Sequence, residues 1–273
     1  MTGPRFELIS GGGGAQPLAA ERPYGSALRF ADAPRPYVVV NFVASIDGVA
    51  SLGITDGTDS TRLGANSRAD RYLMALLRAS ADVIVIGAGN LRATPGHQWV
   101  PAAVAGDQPA IIQAYRAARH GSAEPPPLVV VSGSGDLPAH VALDHPATST
   151  AVLTSASGTT KVRHAHPLVQ VIELSTAGPI DGAAIISAVS SAFGPGLMLC
   201  EGGPSLFGSL LAARAIQELF LTVSPRIAGR EHHQPRPGIV DTWAANPDAL
   251  RRTTLASVHR SEDHLFLRYR LDS

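Results

Sequence analysis

The chain has 273 residues, of which 45% are hydrophobic and 16% charged, with a formal net charge of +0. That length holds one large α/β domain or two small ones, and the charge balance argues against nucleic acid or an anionic membrane as the main partner, because both select basic surfaces. One cysteine, Cys200, excludes an internal disulfide and a thiolate zinc site. No basic-then-apolar leader opens the sequence and no apolar run approaches the ~20 residues of a membrane span, so a soluble cytoplasmic protein is expected.

Residues 1–36 read as an irregular arm, with a glycine run from Gly11 to Gly14 and prolines at 17, 23, 34 and 36. Regular structure begins at Tyr37. The β-branched run Tyr37 to Ala44 predicts a buried strand that ends in the turn Ser45-Ile-Asp-Gly48. Ala69, Tyr72, Leu73, Leu76 and Leu77 form one apolar stripe, which predicts a helix from about Asn66, as N-cap, to Ala79. Asp82 to Gly87 is the next buried strand and Pro109 to His120 a helix. Short strands follow at 128–132, 151–154 and 168–173, then a helix over 181–192. A strand ending at Glu201 leads into a helix over 204–214.

The last third changes character. Strands at 218–224, 253–259 and 264–270 stand with little helix between them, and a short polar link joins the last two. Alternating strands and helices followed by antiparallel strands predict an α/β fold. Its sheet is mixed and mostly parallel, with helices on both faces and an antiparallel C-terminal edge. No internal repeat or linker divides 37–273, which is read as a single domain.

The stretch Leu197 to Leu211 carries most of the chemistry. A buried strand delivers the Glu201 carboxylate to the carboxyl edge of a sheet. Gly202 and Gly203, lacking Cβ atoms, let the backbone approach a ligand. Pro204 suits the first helical position, and the free N–H groups of that helix start receive an anion. The plain alternative is a tight strand-to-helix turn with a solvated Glu. Gly87-Ala-Gly-Asn-Leu-Arg92 falls short of a dinucleotide fingerprint, since Arg92 stands at the third glycine and Pro95-Gly96 leave no clear helix after it. It remains either a ligand loop or an ordinary turn.

Asp47 fits an Asp-Gly turn, and Arg78 complements a helix C-terminus. His164-Ala-His166 and His232-His233 lie in loop-like stretches without metal spacing, and no metal site is expected. Cys200 reads as an inert core thiol. With no activated nucleophile and no metal, the hard chemistry would come from a bound cofactor.

Four motifs in order resemble the pyrimidine reductase domain of riboflavin biosynthesis: Asn41 to Gly48, Leu76 to Asn90, Glu201 to Leu206, and Gln217 to Gly229. The resemblance covers roughly residues 37–270 and implies a dihydrofolate reductase-like fold. It implies NADPH-dependent reduction of a phosphorylated ribosylamino-pyrimidine to the ribitylamino product. Val43, Asn90, Ser132 and the loop of Gly203, Pro204, Ser205, Leu206, Phe207, Gly208 and Ser209 would face the dinucleotide, with Gly202 beside them. Asn41, Arg78 and Glu201 would face the substrate. Glu201 is the main candidate for the catalytic role and Asp47 a weaker one for orienting substrate groups.

Two departures from the family pattern stand out. Thr94, in Arg92-Ala-Thr-Pro-Gly96, takes the place of an acid on the cofactor side, and Ser60 to Gly64 replaces the usual Ser-x-Trp substrate segment. The zinc deaminase domain often fused upstream has no counterpart motif. The resemblance also implies a homodimer, and the apolar C-terminal strands offer an edge that needs covering, by a second subunit or by the N-terminal arm. Two other functions stay open: reduction of a pterin-like or other heterocycle on the same scaffold, and nucleotide binding without catalysis.

Overall fold

The computed structural model describes residues 4–11, 24, 28, 30, 35–174, 180–231, 233 and 236–272. Most of the N-terminal arm, including the glycines at 12–14, and His232 lie outside the described residues. Among the described residues ten strands form one sheet: β1 (Glu7–Gly11), β2 (Tyr37–Ser45), β3 (Val83–Gly87), β4 (Leu128–Ser132), β5 (Thr150–Ser155), β6 (Gln170–Leu174), β7 (Leu197–Cys200), β8 (Glu218–Ser224), β9 (Thr253–Ser261) and β10 (His264–Leu271). Their order across the sheet is β1-β9-β10-β8-β2-β7-β3-β4-β5-β6. From β8 to β6 every neighbour is parallel, while β1, β9 and β10 are joined antiparallel to each other and to β8. The expected mixed sheet with its antiparallel C-terminal edge is therefore present.

Among the described residues the helices are α1 (Asp59–Leu63), α2 (Arg68–Ser80), α3 (Ala88–Ala93), α4 (Pro101–Val104), α5 (Pro109–His120), α6 (Val141–Asp144), α7 (Ala156–Ala165), α8 (Gly182–Phe193) and α9 (Pro204–Ala212). The central strands are apolar on both faces because both are covered. On one face Ile84, Ile86, Leu128, Val130 and Leu199 pack with Leu73, Leu76 and Leu77 of α2 and Ile112 of α5. On the other, Val40, Phe42, Val85 and Met198 pack with Ile185 and Val189 of α8 and Phe207 and Leu210 of α9. Each such side chain contributes roughly 1.5–3 kcal/mol by leaving water.

Three sequence expectations are corrected. Ser67, not Asn66, caps α2: its side chain accepts from the Asp70 N–H, while Asn66 sits at φ +55° in the preceding turn. A helix does follow Gly87, because α3 spans Ala88–Ala93 and finishes before Pro95. The arm is not wholly irregular either, since Glu7–Gly11 is β1 and pairs with β9, so the chain covers this edge itself. The helices α1, α4 and α6, of four or five residues, are too short to show a periodic signal, and the ten-residue α7 buries only Gly158, Thr159 and Val162, which writes no apolar stripe.

The chain lays down β2, β3, β4, β5 and β6, then returns to insert β7 between β2 and β3. The carboxyl end of β7 therefore emerges between the carboxyl ends of the first two parallel strands. This is a topological switch point, where open α/β sheets bind ligands.

Candidate functional site

Glu201 stands at that point. Its N–H donates to the Val85 carbonyl of β3 at 3.1 Å, and the β2–β7 register, Val40 opposite Cys200, carries on to put Asn41 beside it. The side chain is only 6% exposed and is held by Arg78 of α2, whose Nε donates to Oε1 at 2.8 Å and whose Nη2 donates to Oε2 at 2.7 Å. Arg78 also donates through Nη1 to the Gln98 and Val100 carbonyls, both at 3.3 Å, and through Nη2 to His97 Nε2 at 3.1 Å. These contacts engage all five guanidinium N–H groups. Arg78, expected to face the substrate, is 1% exposed, and its donors point into the protein. Its work is to fix Glu201, whose oxygens each keep a lone pair for another partner.

His97 receives a proton from an arginine that cannot accept one, so its own proton sits on Nδ1. Burial, helped by the Arg78 charge, pushes its pKa down to about 3, and the ring is neutral. No sequence pattern pointed to His97. Burial likewise pushes the Cys200 thiol up to about 12, consistent with an inert thiol.

Two glycine loops cross beside Glu201. The Gly87 N–H donates to the Gly202 carbonyl at 3.3 Å, and Asn90 Nδ2 donates to the Glu201 carbonyl at 2.8 Å. Gly202 (φ +101°) and Gly203 (φ +87°) occupy backbone that L side chains avoid, and a Cβ on Gly202 would stand 3.2 Å from Asn90 Nδ2. Thr94 closes α3 by donating its hydroxyl to the Asn90 carbonyl at 2.7 Å. Ser132 ends β4 on the same carboxyl edge and is buried.

Gly203 is the N-cap of α9 and gives it no side-chain cap, and since Pro204 has no N–H, the Ser205 and Leu206 N–H groups of the first turn are left without an intrahelical partner. Ser205 is exposed, and Pro204 and Ser209 partly so, but Leu206 and Phe207 are in the core. Gly208 lies under the Asp241 carbonyl, which a Cβ there would meet at 2.1 Å. Any ligand contact from 206–208 thus falls to the backbone.

Asn41 and Val43 of β2 point to the α2 face, Val43 standing opposite Thr222 of β8. Asp47 is committed elsewhere. Its carboxylate accepts from the Ala228 N–H at 3.0 Å, the Gly229 N–H at 2.8 Å and the Ser45 hydroxyl at 2.6 Å. These bonds, the Ala228 amide first, hold its pKa far below the carboxylate range. The geometry gives Asp47 the task of tying the turn after β2 to the segment after β8. In the Ser60 to Gly64 stretch, α1 is anchored by the buried Asp59, which accepts from the Leu52 and Ile54 N–H groups at 2.9 Å each. A groove lined by Glu124, Pro125, Pro127, Thr148 and Phe193 opens at the amino ends of β4 and β5, away from all these residues.

Residues 36–258 match the model of the RibD C-terminal domain. The chain belongs to this family. Among solved structures, a pyrimidine reductase-like protein of Corynebacterium diphtheriae superposes with a TM-score of 0.64 at 22% identity, covering 87% of this chain and 92% of that one. A diaminohydroxyphosphoribosylaminopyrimidine deaminase/5-amino-6-(5-phosphoribosylamino)uracil reductase of Thermotoga maritima gives 0.60 at 14% identity, covering 87% of this chain and 57% of that one. The riboflavin biosynthesis reductase Rib7 of Saccharomyces cerevisiae gives 0.54 at 14%, covering 91% and 95%. At these identities the likenesses concern the fold of the RibD C-terminal domain. None of the curated proteins matches the sequence, and no described helix is long and apolar enough to cross a membrane.

Proposed function

We propose that this RibD C-terminal domain protein is an NADPH-dependent pyrimidine reductase that reduces the ribosylamino group of a phosphorylated pyrimidine to ribitylamino. The observation that carries the reading is the fixed Glu201 carboxylate beside two crossing glycine loops at the switch point of the sheet. NADPH supplies the hydride. The Gly202–Gly203 backbone and the start of α9 hold a cofactor phosphate, with Asn90, Thr94, Ser132 and Val43 along the same edge. Glu201 accepts from substrate N–H or O–H groups, and Arg78 keeps it oriented through two charged hydrogen bonds. The protein's share is positioning and electrostatics.

Steady oxidation of NADPH with 5-amino-6-(5-phosphoribosylamino)uracil tests the reading, and Glu201→Gln tests the residue. The variant turns an acceptor into an amide that opposes the Arg78 donors, and kcat/KM should fall by roughly ten- to a hundredfold. NADPH affinity should hold. Absence of turnover by the wild-type protein rejects the reductase; equal loss of cofactor binding moves Glu201 to the cofactor side.

We also propose a homodimer. Because β1 already covers the β9 edge, the support is a sheet face. Leu255 and Leu265 are 45% and 37% exposed, beside the partly exposed Leu221, Val223, Val258 and Leu267 of the same face.

A further inference from the structure

His97 keeps one donor uncommitted. Its Nε2 accepts from Arg78 Nη2 at 3.1 Å, and the same Nη2 donates to Glu201 Oε2 at 2.7 Å. One guanidinium nitrogen thus holds an imidazole and a carboxylate side by side. Because Nε2 accepts, the ring proton is on Nδ1, and Nδ1 has no hydrogen-bond partner among the described residues. The residue is partly exposed and Nδ1 is not enclosed, so this N–H is open to a ligand.

The ring is held from several sides besides Arg78. The His97 N–H donates to the Thr94 carbonyl at 3.1 Å, and Gly96, at φ +80°, supplies the turn between them. Trp99, itself 4% exposed, meets the imidazole in a T-shaped contact, with centroids 4.9 Å apart at 83°. Trp99 also packs on His140, whose Nε2 donates to the same Thr94 carbonyl at 2.9 Å while its Nδ1 accepts from the Ala142 N–H. A donor fixed in this way has lost its rotamer freedom on folding, so a further bond costs little ordering entropy.

We infer that His97 is a substrate-binding residue, its Nδ1–H donating to a ring carbonyl of the substrate's heterocycle while Glu201 accepts from the N–H next to it. The inference deepens the reductase reading and rests on it for the identity of the ligand; the paired donor and acceptor belong to the protein alone. Their polarity selects the edge they take. The Glu201 carboxylate accepts, and the open nitrogen of His97 only donates. A lactam, with its carbonyl beside an N–H, brings the complementary pair. A phosphate brings acceptors alone and would set its charge beside a carboxylate, while Arg78, which holds both groups, has no N–H left to offer. A single sugar hydroxyl satisfies either group by itself and makes no use of their pairing.

Proton–nitrogen NMR of the ligand-free protein near neutral pH should show His97 as a neutral ring protonated on Nδ1. Adding 5,6-diaminouracil, which carries the lactam edge without the sugar phosphate, should shift the Nδ1–H signal and slow its exchange with water; ribose 5-phosphate should do neither. In turnover, His97→Phe keeps a ring and removes the donor, and it should raise KM for 5-amino-6-(5-phosphoribosylamino)uracil about tenfold with NADPH affinity unchanged. His97→Gln, which offers an acceptor to Arg78 and an N–H to the ligand, should recover part of that loss. A His97 that only supports Arg78 and Glu201 would lose its effect in a Glu201→Gln background, whereas a substrate donor keeps it. A proton on Nε2, a signal that answers ribose 5-phosphate instead of diaminouracil or answers neither, or a His97→Phe penalty that vanishes beside Glu201→Gln overturns the inference. If the wild-type protein does not turn over, the reductase reading fails, and the NMR arm alone decides whether His97 takes a lactam.

Discussion

Replacing Arg78 by leucine removes five donors from one buried place. Glu201 loses both of its charged bonds, the Gln98 and Val100 carbonyls lose theirs, and His97 Nε2 is left without a donor. With side-chain exposures of 1% for Arg78 and 6% for Glu201, water does little to restore the loss. Removing one partner of a buried pair costs about 3–5 kcal/mol. In a protein of this size each kcal/mol moves Tm by about 2–4 °C, so Arg78→Leu should lower Tm by roughly 6–20 °C. Adding Glu201→Leu should recover part of this, since no lone charge remains buried. Thermal and urea denaturation of wild type, both single variants and the double variant give the coupling energy. A Tm for Arg78→Leu within about 2 °C of wild type would refute the argument, because the pair would then behave like a solvated surface bridge.

Stability should also fall on the acid side. His97 titrates near 3 when folded, against about 6.5 when unfolded. The unfolded chain therefore takes up the proton first, and stability present above about pH 6.5 is lost as pH falls toward 3. His259, pushed to about 4 by burial, adds to the same slope. His97→Gln should flatten the stability profile in that window without abolishing it, and unchanged steepness in pH-dependent urea melts would remove His97 from the account. Light scattering at micromolar concentration should give a dimer that Leu265→Glu dissociates; a wild-type mass near 28.3 kDa would count against the interface.

The parallel strands were legible because burial on both faces writes continuous apolar runs, as in Tyr37 to Ala44 and Asp82 to Gly87. β1 was not, because the five residues Glu7–Gly11 run into a glycine tract and gain their structure from β9, far along the chain. α3 was hidden by Pro95 and Gly96, which read as breakers although the helix ends at Ala93. At the site, the Glu201-Gly-Gly-Pro204 turn announced itself through local backbone chemistry. Arg78 did not show its role, since its partner is 123 residues away and a cation in a last helical turn has a sufficient local explanation.

The pairing of β1 with β9 sets an order of events during synthesis. Glu7 meets Arg260, 253 residues later. At 5–20 residues per second, the first strand made waits on the order of 10–50 s for its neighbour to exist. The parallel strands and their helices can assemble in that interval, while β9 and β10 are still to come. This edge strand of the sheet is thus made well before its neighbour and is among the last of the described strands to be placed, so the sheet closes on that side only once β9 has been made.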